Sequence, residues 1–210
     1  MLKAVPMLTR LKQKIQSMLV AEARAAHKLG LTPNGITIIG LILAFLSAAV
    51  YAMWQYNQFF LLLATFLLLL SGFCDALDGV VARIYEQATV FGGFFDSLLD
   101  RYADAAVYVG IVLGGLCSPS YWGMLAIIGS LLVSYSRARA EAAGIKMESI
   151  GLAERAERML ILVVSSLVAW QFQPTTVMTI ALVVLAILTN LTVLQRGIYV
   201  YARLKKRVVG

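Results

Sequence analysis

Apolar residues fall in six long runs, at roughly residues 35–55, 58–80, 91–116, 120–137, 155–171 and 176–196, each about long enough to cross a hydrocarbon core as a helix. The breaks between them alternate in character. Those at Trp54 to Asn57, Cys117 to Tyr121 and Gln171 to Thr176 contain no Lys or Arg, whereas the segments at 83–90 and 138–154 and both tails hold most of the basic residues. Under the positive-inside rule the basic side is cytoplasmic, so both termini and those two loops are predicted to lie there, and the crossings are even in number. The pattern predicts an all-α integral membrane protein: a bundle of about six transmembrane helices over residues 31–204, preceded by an N-terminal amphipathic interfacial helix within residues 1–30. No internal repeat or long linker divides the chain, so residues 1–210 read as a single domain.

The N-terminal segment differs from the spanning runs. Over residues 7–29, Leu8, Leu11, Ile15, Met18 and Leu19 recur at helical spacing opposite Arg10, Lys12 and Lys14, the pattern of a helix lying in a membrane interface. It either covers a site entered from the cytoplasmic leaflet or serves as a simple anchor. The first apolar run follows this charged stretch without a small-residue cleavage pattern, so a removable signal peptide is not expected.

Composition sharpens the class. Of 210 residues 60% are hydrophobic and only 14% charged, and the mean hydropathy of +0.83 excludes an ordinary soluble domain. The net charge of +7 gathers on one face, where it suits anionic lipid headgroups or phosphorylated substrates rather than nucleic acid. Cys74 and Cys117 fall near opposite membrane faces and are not expected to pair.

Against this background four carboxylates stand out, because ionisable groups in membrane helices are costly and mark functional sites. Asp75 and Asp78 close one apolar run, and Asp96 and Asp100 open the next, in the stretch DALDGVVARIYEQATVFGGFFDSLLD. On a helix Asp75, Asp78, Gly79, Ala82 and Arg83 share one face, and Asp96 and Asp100 stack i to i+4. Only a short turn separates the two runs, so they are antiparallel neighbours and both pairs lie one to two turns inside the cytoplasmic boundary. Four converging carboxylates require protonation or cations, and hard oxygen ligands in this number favour one or two Mg2+ ions, or Mn2+. Such a centre suits chemistry on a phosphate ester. Gly79 and Gly92 would let a ligand or a helix approach the backbone closely.

The whole set, Asp75, Asp78, Gly79, Ala82, Arg83, Gly92, Asp96 and Asp100 at uninterrupted spacing, resembles the signature of the CDP-alcohol phosphotransferases, integral membrane enzymes that make phospholipids. The resemblance implies that a CDP-linked lipid, CDP-diacylglycerol or CDP-archaeol, gives its phosphatidyl-type group to an alcohol and that CMP leaves. It implies that Asp75, Asp78 and Asp96 bind metal and nucleotide diphosphate, and that Asp100 completes the metal site and serves as general base. Gly79, Arg83 and Thr89 match positions that contact the CDP moiety. In the TPNGIT stretch at 32–37, Asn34 and Thr37 are the expected nucleotide contacts or, alternatively, simple turn and N-cap residues. A homodimer is implied too, with Gly110 and Gly114 forming a GxxxG pair that permits close helix packing.

A second constellation bears on the acceptor. The SYSRARAEAAGIKMESIGLAERAERM segment and the LQRG stretch place Arg137, Arg139, Arg155, Arg158 and Arg196 on the cytoplasmic side, more basic groups than orientation requires. Guanidiniums near a metal site suggest capture of a phosphate on the acceptor alcohol. These patterns are similar to the branch of the family that makes phosphatidylinositol phosphate from inositol phosphate, including archaeal relatives with archaeol-based lipids. There the acceptor phosphate is held by positions matching Arg137, Arg155 and Arg196. Arg137 and Ala156 stand where bacterial members often carry Lys and Pro. The plainer alternative is orientation-setting arginines paired with Glu141, Glu154 and Glu157. Asp104, one turn beyond Asp100, is expected to pair with Arg101 or to support the site without being a ligand, and Ser134 and Tyr135 are expected to pack rather than act as nucleophiles. Two rival readings stay open: glycerol 3-phosphate or serine as acceptor, and a divalent-cation channel or transporter, against which all four acids crowd toward one face.

Overall fold

The computed structural model describes residues 19–147 and 150–209. Within these, seven α-helices follow one another: α1 Val20–Lys28, α2 Pro33–Ala52, α3 Phe59–Ile84, α4 Val90–Leu113, α5 Tyr121–Ala142, α6 Arg155–Gln171 and α7 Pro174–Val209, with a 3-10 turn at Trp54–Tyr56 between α2 and α3. There is no strand among the described residues. The six long helices fall where the apolar runs predict them. The largest differences are that α5 continues to Ala142 and α7 to Val209, carrying their polar ends beyond the apolar stretch, and α3 likewise continues to Ile84.

Local signals set the starts. Thr32 caps α2, its hydroxyl accepting the Gly35 amide at 3.2 Å, and Pro33 occupies the first turn, where no amide partner is needed. Thr89 caps α4 in the same way, accepting the Gly92 amide at 2.9 Å. Between α3 and α4 the chain reverses over a few residues, with Glu86 at φ 53°. The two acid-bearing helices, expected to be antiparallel neighbours, each pack mainly on α2 rather than on one another, and their acidic turns face each other across a cleft.

Three helices are long and apolar enough to cross a membrane by length and composition: α2, α3 and the Pro174–Lys205 part of α7, with mean hydropathies of 2.2, 2.2 and 2.5. The expected six are therefore not all visible on that measure. Asp96, Asp100, Arg101 and Asp104 dilute α4, Arg137, Arg139 and Glu141 dilute the end of α5, and α6 has 17 residues and opens on Arg155, Glu157 and Arg158.

The core joins α2 to α7 through Ala44, Tyr51, Leu61, Leu68, Val107, Tyr108, Ile111, Leu162, Leu182 and Leu185. Several of its buried hydroxyls are satisfied within the bundle: Ser47 donates to the Ala64 carbonyl at 2.7 Å, and the Tyr51 and Ser166 hydroxyls share a 2.6 Å bond, whereas the buried Tyr108 hydroxyl has no hydrogen-bond partner. Gly110 and Gly114 bring α4 against α2, for a Cβ at either would collide with the backbone carbonyl of Ala48 or Tyr51. This pair, expected to serve helix packing, thus makes an intramolecular contact. Cys74 and Cys117 are both free.

Of the amphipathic segment 7–29, residues 7–18 lie outside the described residues. The remainder forms α1, where Leu19, Ala23 and Ala26 bury against Ile36, Leu77, Val80 and Val81, and His27 stacks on Tyr85 at 3.6 Å between ring centroids. The helix is thereby docked on the α3 end that carries the acids.

Candidate active site

The acid-bearing turns of α3 and α4 meet in a cleft of about 230 Å³ lined by Thr37, Ser71, Asp75, Asp78, Asp96, Asp100 and Arg155. Asp75, Asp96 and Asp100 each offer an oxygen, and these oxygens lie within 4.8 Å of one another. Three carboxylates converge closely rather than four. Asp78 lines the same cleft but is 6% exposed, and its Oδ2 is engaged by the Thr37 hydroxyl, which donates at 2.6 Å. Thr37 therefore ties the first turns of α2 to the acidic turn of α3.

The triad fits a divalent cation on its own chemistry. Its donors are hard oxygens, and Asp96 Oδ1 is buried without any hydrogen-bond partner, a costly arrangement for a carboxylate unless something else takes up its lone pairs. Arg155, at the start of α6, supplies the nearest positive charge: its Nη1 lies 2.6 Å from Asp75 Oδ1 and 2.8 Å from Asp100 Oδ1. Arg101 adds a looser contact, 3.6 Å from Asp100 Oδ2, while also donating to the Ser97 carbonyl.

The residues expected at the nucleotide gather nearby. A Cβ at Gly92 would stand 3.0 Å from Thr89 Oγ1 and 3.3 Å from Asn34 Oδ1, so Asn34, Thr89 and Gly92 meet where α2 and α4 begin. The Arg83 guanidinium lies over Gly79, 3.3 Å from where a Cβ would be. Side chains are absent at the two positions where these polar groups close in, and the polar groups are left facing one end of the bundle.

The three arginines expected at the acceptor phosphate are differently placed. Arg155 joins the acids. Arg196 is 2% exposed and gives its Nε to the Ile150 carbonyl at 2.7 Å and its Nη1 to the Val133 carbonyl, so it fastens the segment after α5 to α7. Arg137 is exposed and pairs with Glu141 at 2.9 Å, i to i+4, which is one of the pairings of the plainer alternative.

Asp104 departs from its expected pairing. Its partners are Arg158, whose Nη2 donates to Oδ2 at 2.6 Å, and Arg155, whose Nε donates to Oδ1 at 3.3 Å, rather than Arg101. Arg158 is 4% exposed, and its Nη1 also donates to the Ala153 carbonyl at 3.0 Å. Arg155 and Arg158 border a second cavity of about 360 Å³ that shares Ser71, Ala103 and Arg155 with the acidic cleft. The i, i+4, i+8 stripe of Asp96, Asp100 and Asp104 and the i, i+3 spacing of Arg155 and Arg158 were the available signal. Only the fold, in which α6 packs on α3 and α7 and faces α4 across this cavity, shows that the two stripes match.

The chain is similar to known proteins over most of its length. Residues 30–193 match the profile of the CDP-alcohol phosphatidyltransferase family. The chain is 39% identical over 206 residues to the archaetidylinositol phosphate synthase of Pyrococcus horikoshii, covering 97% of this chain and 100% of that one. It is 43% identical over 180 residues to the archaetidylinositol phosphate synthase of Methanothermobacter thermautotrophicus, covering 86% and 88%. The crystal structure of Mycobacterium tuberculosis phosphatidylinositol phosphate synthase with CDP-DAG bound superposes with a TM-score of 0.75 at 27% identity, covering 88% of this chain and 94% of that one. The same enzyme in complex with manganese and citrate gives 0.75 at 26%, covering 87% and 88%. The chain belongs to the CDP-alcohol phosphatidyltransferase family and is a membrane transferase of phospholipid biosynthesis.

Proposed function

We propose that this enzyme transfers the phosphatidyl-type group of a CDP-linked lipid to the hydroxyl of inositol phosphate, releasing CMP, in a reaction that depends on Mg2+ or Mn2+. The observation that carries the reading is the convergence of Asp75, Asp96 and Asp100 within 4.8 Å, with Arg155 at their rim. Manganese in the mycobacterial neighbour and inositol phosphate chemistry in the names of the archaeal relatives support it.

Asp75, Asp96 and Asp100 would hold the cation, two ions where Asp78 also contributes. A divalent cation bound there neutralises phosphoryl oxygens and the charge that develops on the leaving CMP. Asn34, Thr37, Asp75, Asp78, Gly79, Arg83 and Thr89 bind and orient the nucleotide end of the lipid, with Arg83 offering its planar fork to phosphate. Asp100 accepts the proton of the attacking hydroxyl. Attack is direct, since Ser134 donates to the Ser130 carbonyl and Tyr135 is exposed.

Arg137, Arg155 and Arg196 take the acceptor's phosphate. What supports this assignment is the position of Arg155, which lines both cavities; Arg137 and Arg196 join it from the family resemblance. Family membership favours this enzyme reading over a cation channel. Glycerol 3-phosphate and serine remain the competing acceptors.

All six long helices cross the membrane, with both termini and the active site on the cytoplasmic side, as one domain. Exposed large apolar residues on α4, α5 and α6, such as Val109, Leu113, Ile128, Leu131, Val164 and Leu167, support crossing by the three helices that length and composition leave out. A homodimer, as the family resemblance implies, would form through other surfaces than Gly110 and Gly114.

The test is an acceptor panel. Purified enzyme with CDP-archaeol or CDP-diacylglycerol is offered inositol phosphate, free inositol, glycerol 3-phosphate and serine, and CMP is measured. Fastest release with inositol phosphate is expected; faster release with free inositol or serine would remove the phosphate-binding role of the arginines.

A further inference from the structure

Asp104 is the hub of a polar network beside the carboxylate triad. Its Oδ1 accepts from Arg155 Nε at 3.3 Å, its Oδ2 accepts from Arg158 Nη2 at 2.6 Å, and the Ser130 hydroxyl stands 3.5 Å from Oδ2. Arg158 is buried and held by the Ala153 carbonyl as well, so this end of the network cannot shift without opening the bundle. Arg155 has more freedom, with its side chain 23% exposed. Its Nε edge rests on Asp104, while its Nη1 reaches into the triad at Asp75 and Asp100.

A divalent cation sits about 2.0–2.2 Å from its oxygens and would need the same lone pairs of Asp75 and Asp100 that face Arg155 Nη1. Two positive groups cannot share those oxygens at such separations in a half-buried cleft without strong repulsion. Cation and Arg155 are therefore competitors, and the outcome depends on what Arg155 retains when it withdraws. What it retains is Asp104.

We propose that Asp104 is a positioning residue: it anchors Arg155 at the rim of the triad and thereby sets how strongly Arg155 competes with a divalent cation for Asp75 and Asp100. The inference rests on the triad being the cation site. With Asp104 present, Arg155 can yield the triad and keep a carboxylate partner. Without it, the triad is the only acidic group left to neutralise the guanidinium, and displacement becomes harder. Removing Asp104 thus weakens cation binding through Arg155, and removing Arg155 strengthens it.

The experiment measures Mn2+ binding to purified, substrate-free protein by titration calorimetry or by the electron paramagnetic resonance signal of free Mn2+. Wild type is compared with Arg155→Gln, Asp104→Asn and the double variant. Arg155→Gln is expected to bind Mn2+ about tenfold more tightly or better, and Asp104→Asn several-fold more weakly. The double variant is expected to match Arg155→Gln within about twofold, because additivity fails where one residue acts through the other. Asp104→Glu, which keeps the charge, should restore wild-type affinity. An Asp104→Asn penalty of equal size in both backgrounds would mean that Asp104 acts through space, and would overturn the proposal. If Asp104→Asn does not accumulate as folded protein, Arg155→Gln alone decides, since unchanged affinity in it also overturns the proposal. Mn2+ bound by every variant with no gain in Arg155→Gln sinks this inference only; no Mn2+ bound by wild type or any variant sinks the triad as cation site and this inference with it.

Discussion

Asp96 makes the sharpest chemical demand at the scale of single residues, since its Oδ1 is buried without a hydrogen-bond partner beside two other carboxylates. Asp78 answers a similar demand differently, by accepting the Thr37 hydroxyl at 2.6 Å in a position only 6% exposed. Replacing Thr37 with Val removes that donor and leaves the carboxylate uncompensated, which should cost about 1–3 kcal/mol of stability. Thermal unfolding of the detergent-solubilised protein should show a lowered midpoint for Thr37→Val, and an unchanged midpoint would contradict the account. The acids themselves were legible in the sequence because charge is conspicuous in an apolar chain. Their inequality was not, because spacing puts Asp78 on the same face as Asp75 and only the approach of Thr37 from another helix draws it aside. The roles of the arginines were hidden for a similar reason. Nothing in the local sequence says that Arg196 spends its guanidinium on the carbonyls of Ile150 and Val133 while Arg155 turns to the acids.

Helix α4 does two jobs at the scale of elements. Its first turns carry Asp96 and Asp100, and its last turns press Gly110 and Gly114 onto α2. The position of the acids thus depends on small residues about three to five turns away. Gly110→Leu would force a side chain into the Ala48 carbonyl and is expected to destabilise the protein by about 1–3 kcal/mol or more, as overpacking does. Gly93→Ala, with nothing within 4 Å of a new Cβ, is the matched control and should leave the unfolding midpoint near wild type. Comparable midpoints for the two variants would show that the α2–α4 contact is not what aligns α4. The number and approximate positions of the long helices were readable in advance from the apolar runs, whereas the caps were not: Thr32, rather than Asn34 or Thr37, caps α2, and Thr89, read as a nucleotide contact, caps α4. Partner choice was less so: the GxxxG pair announces close packing without saying against what, and the Asp104 pairing with Arg158 depends on α6 facing α4 across a cavity that the arginine side chains bridge.

An apolar exterior surrounds a polar seam at the scale of the whole molecule, the seam being built where α2, α3, α4 and α6 meet. We propose from the charge pattern that this seam faces the cytoplasm, a reading that site-directed labelling can check. In a background with Cys74 and Cys117 replaced by Ala, Asn57→Cys is expected to react with an impermeant maleimide from outside intact cells, and Glu86→Cys only after the membrane is opened. The reverse pattern would invert the topology. The central claim is that transfer requires a cation held by Asp75, Asp96 and Asp100. Its most direct test is the rate of CMP release from the CDP-linked lipid, with inositol phosphate present, as Mn2+ or Mg2+ is added back to chelator-stripped enzyme. Wild type should be silent without the cation and recover with it, while Asp96→Asn should recover about a hundredfold less. Equal turnover with and without a divalent cation, or full recovery in Asp96→Asn, would contradict the account.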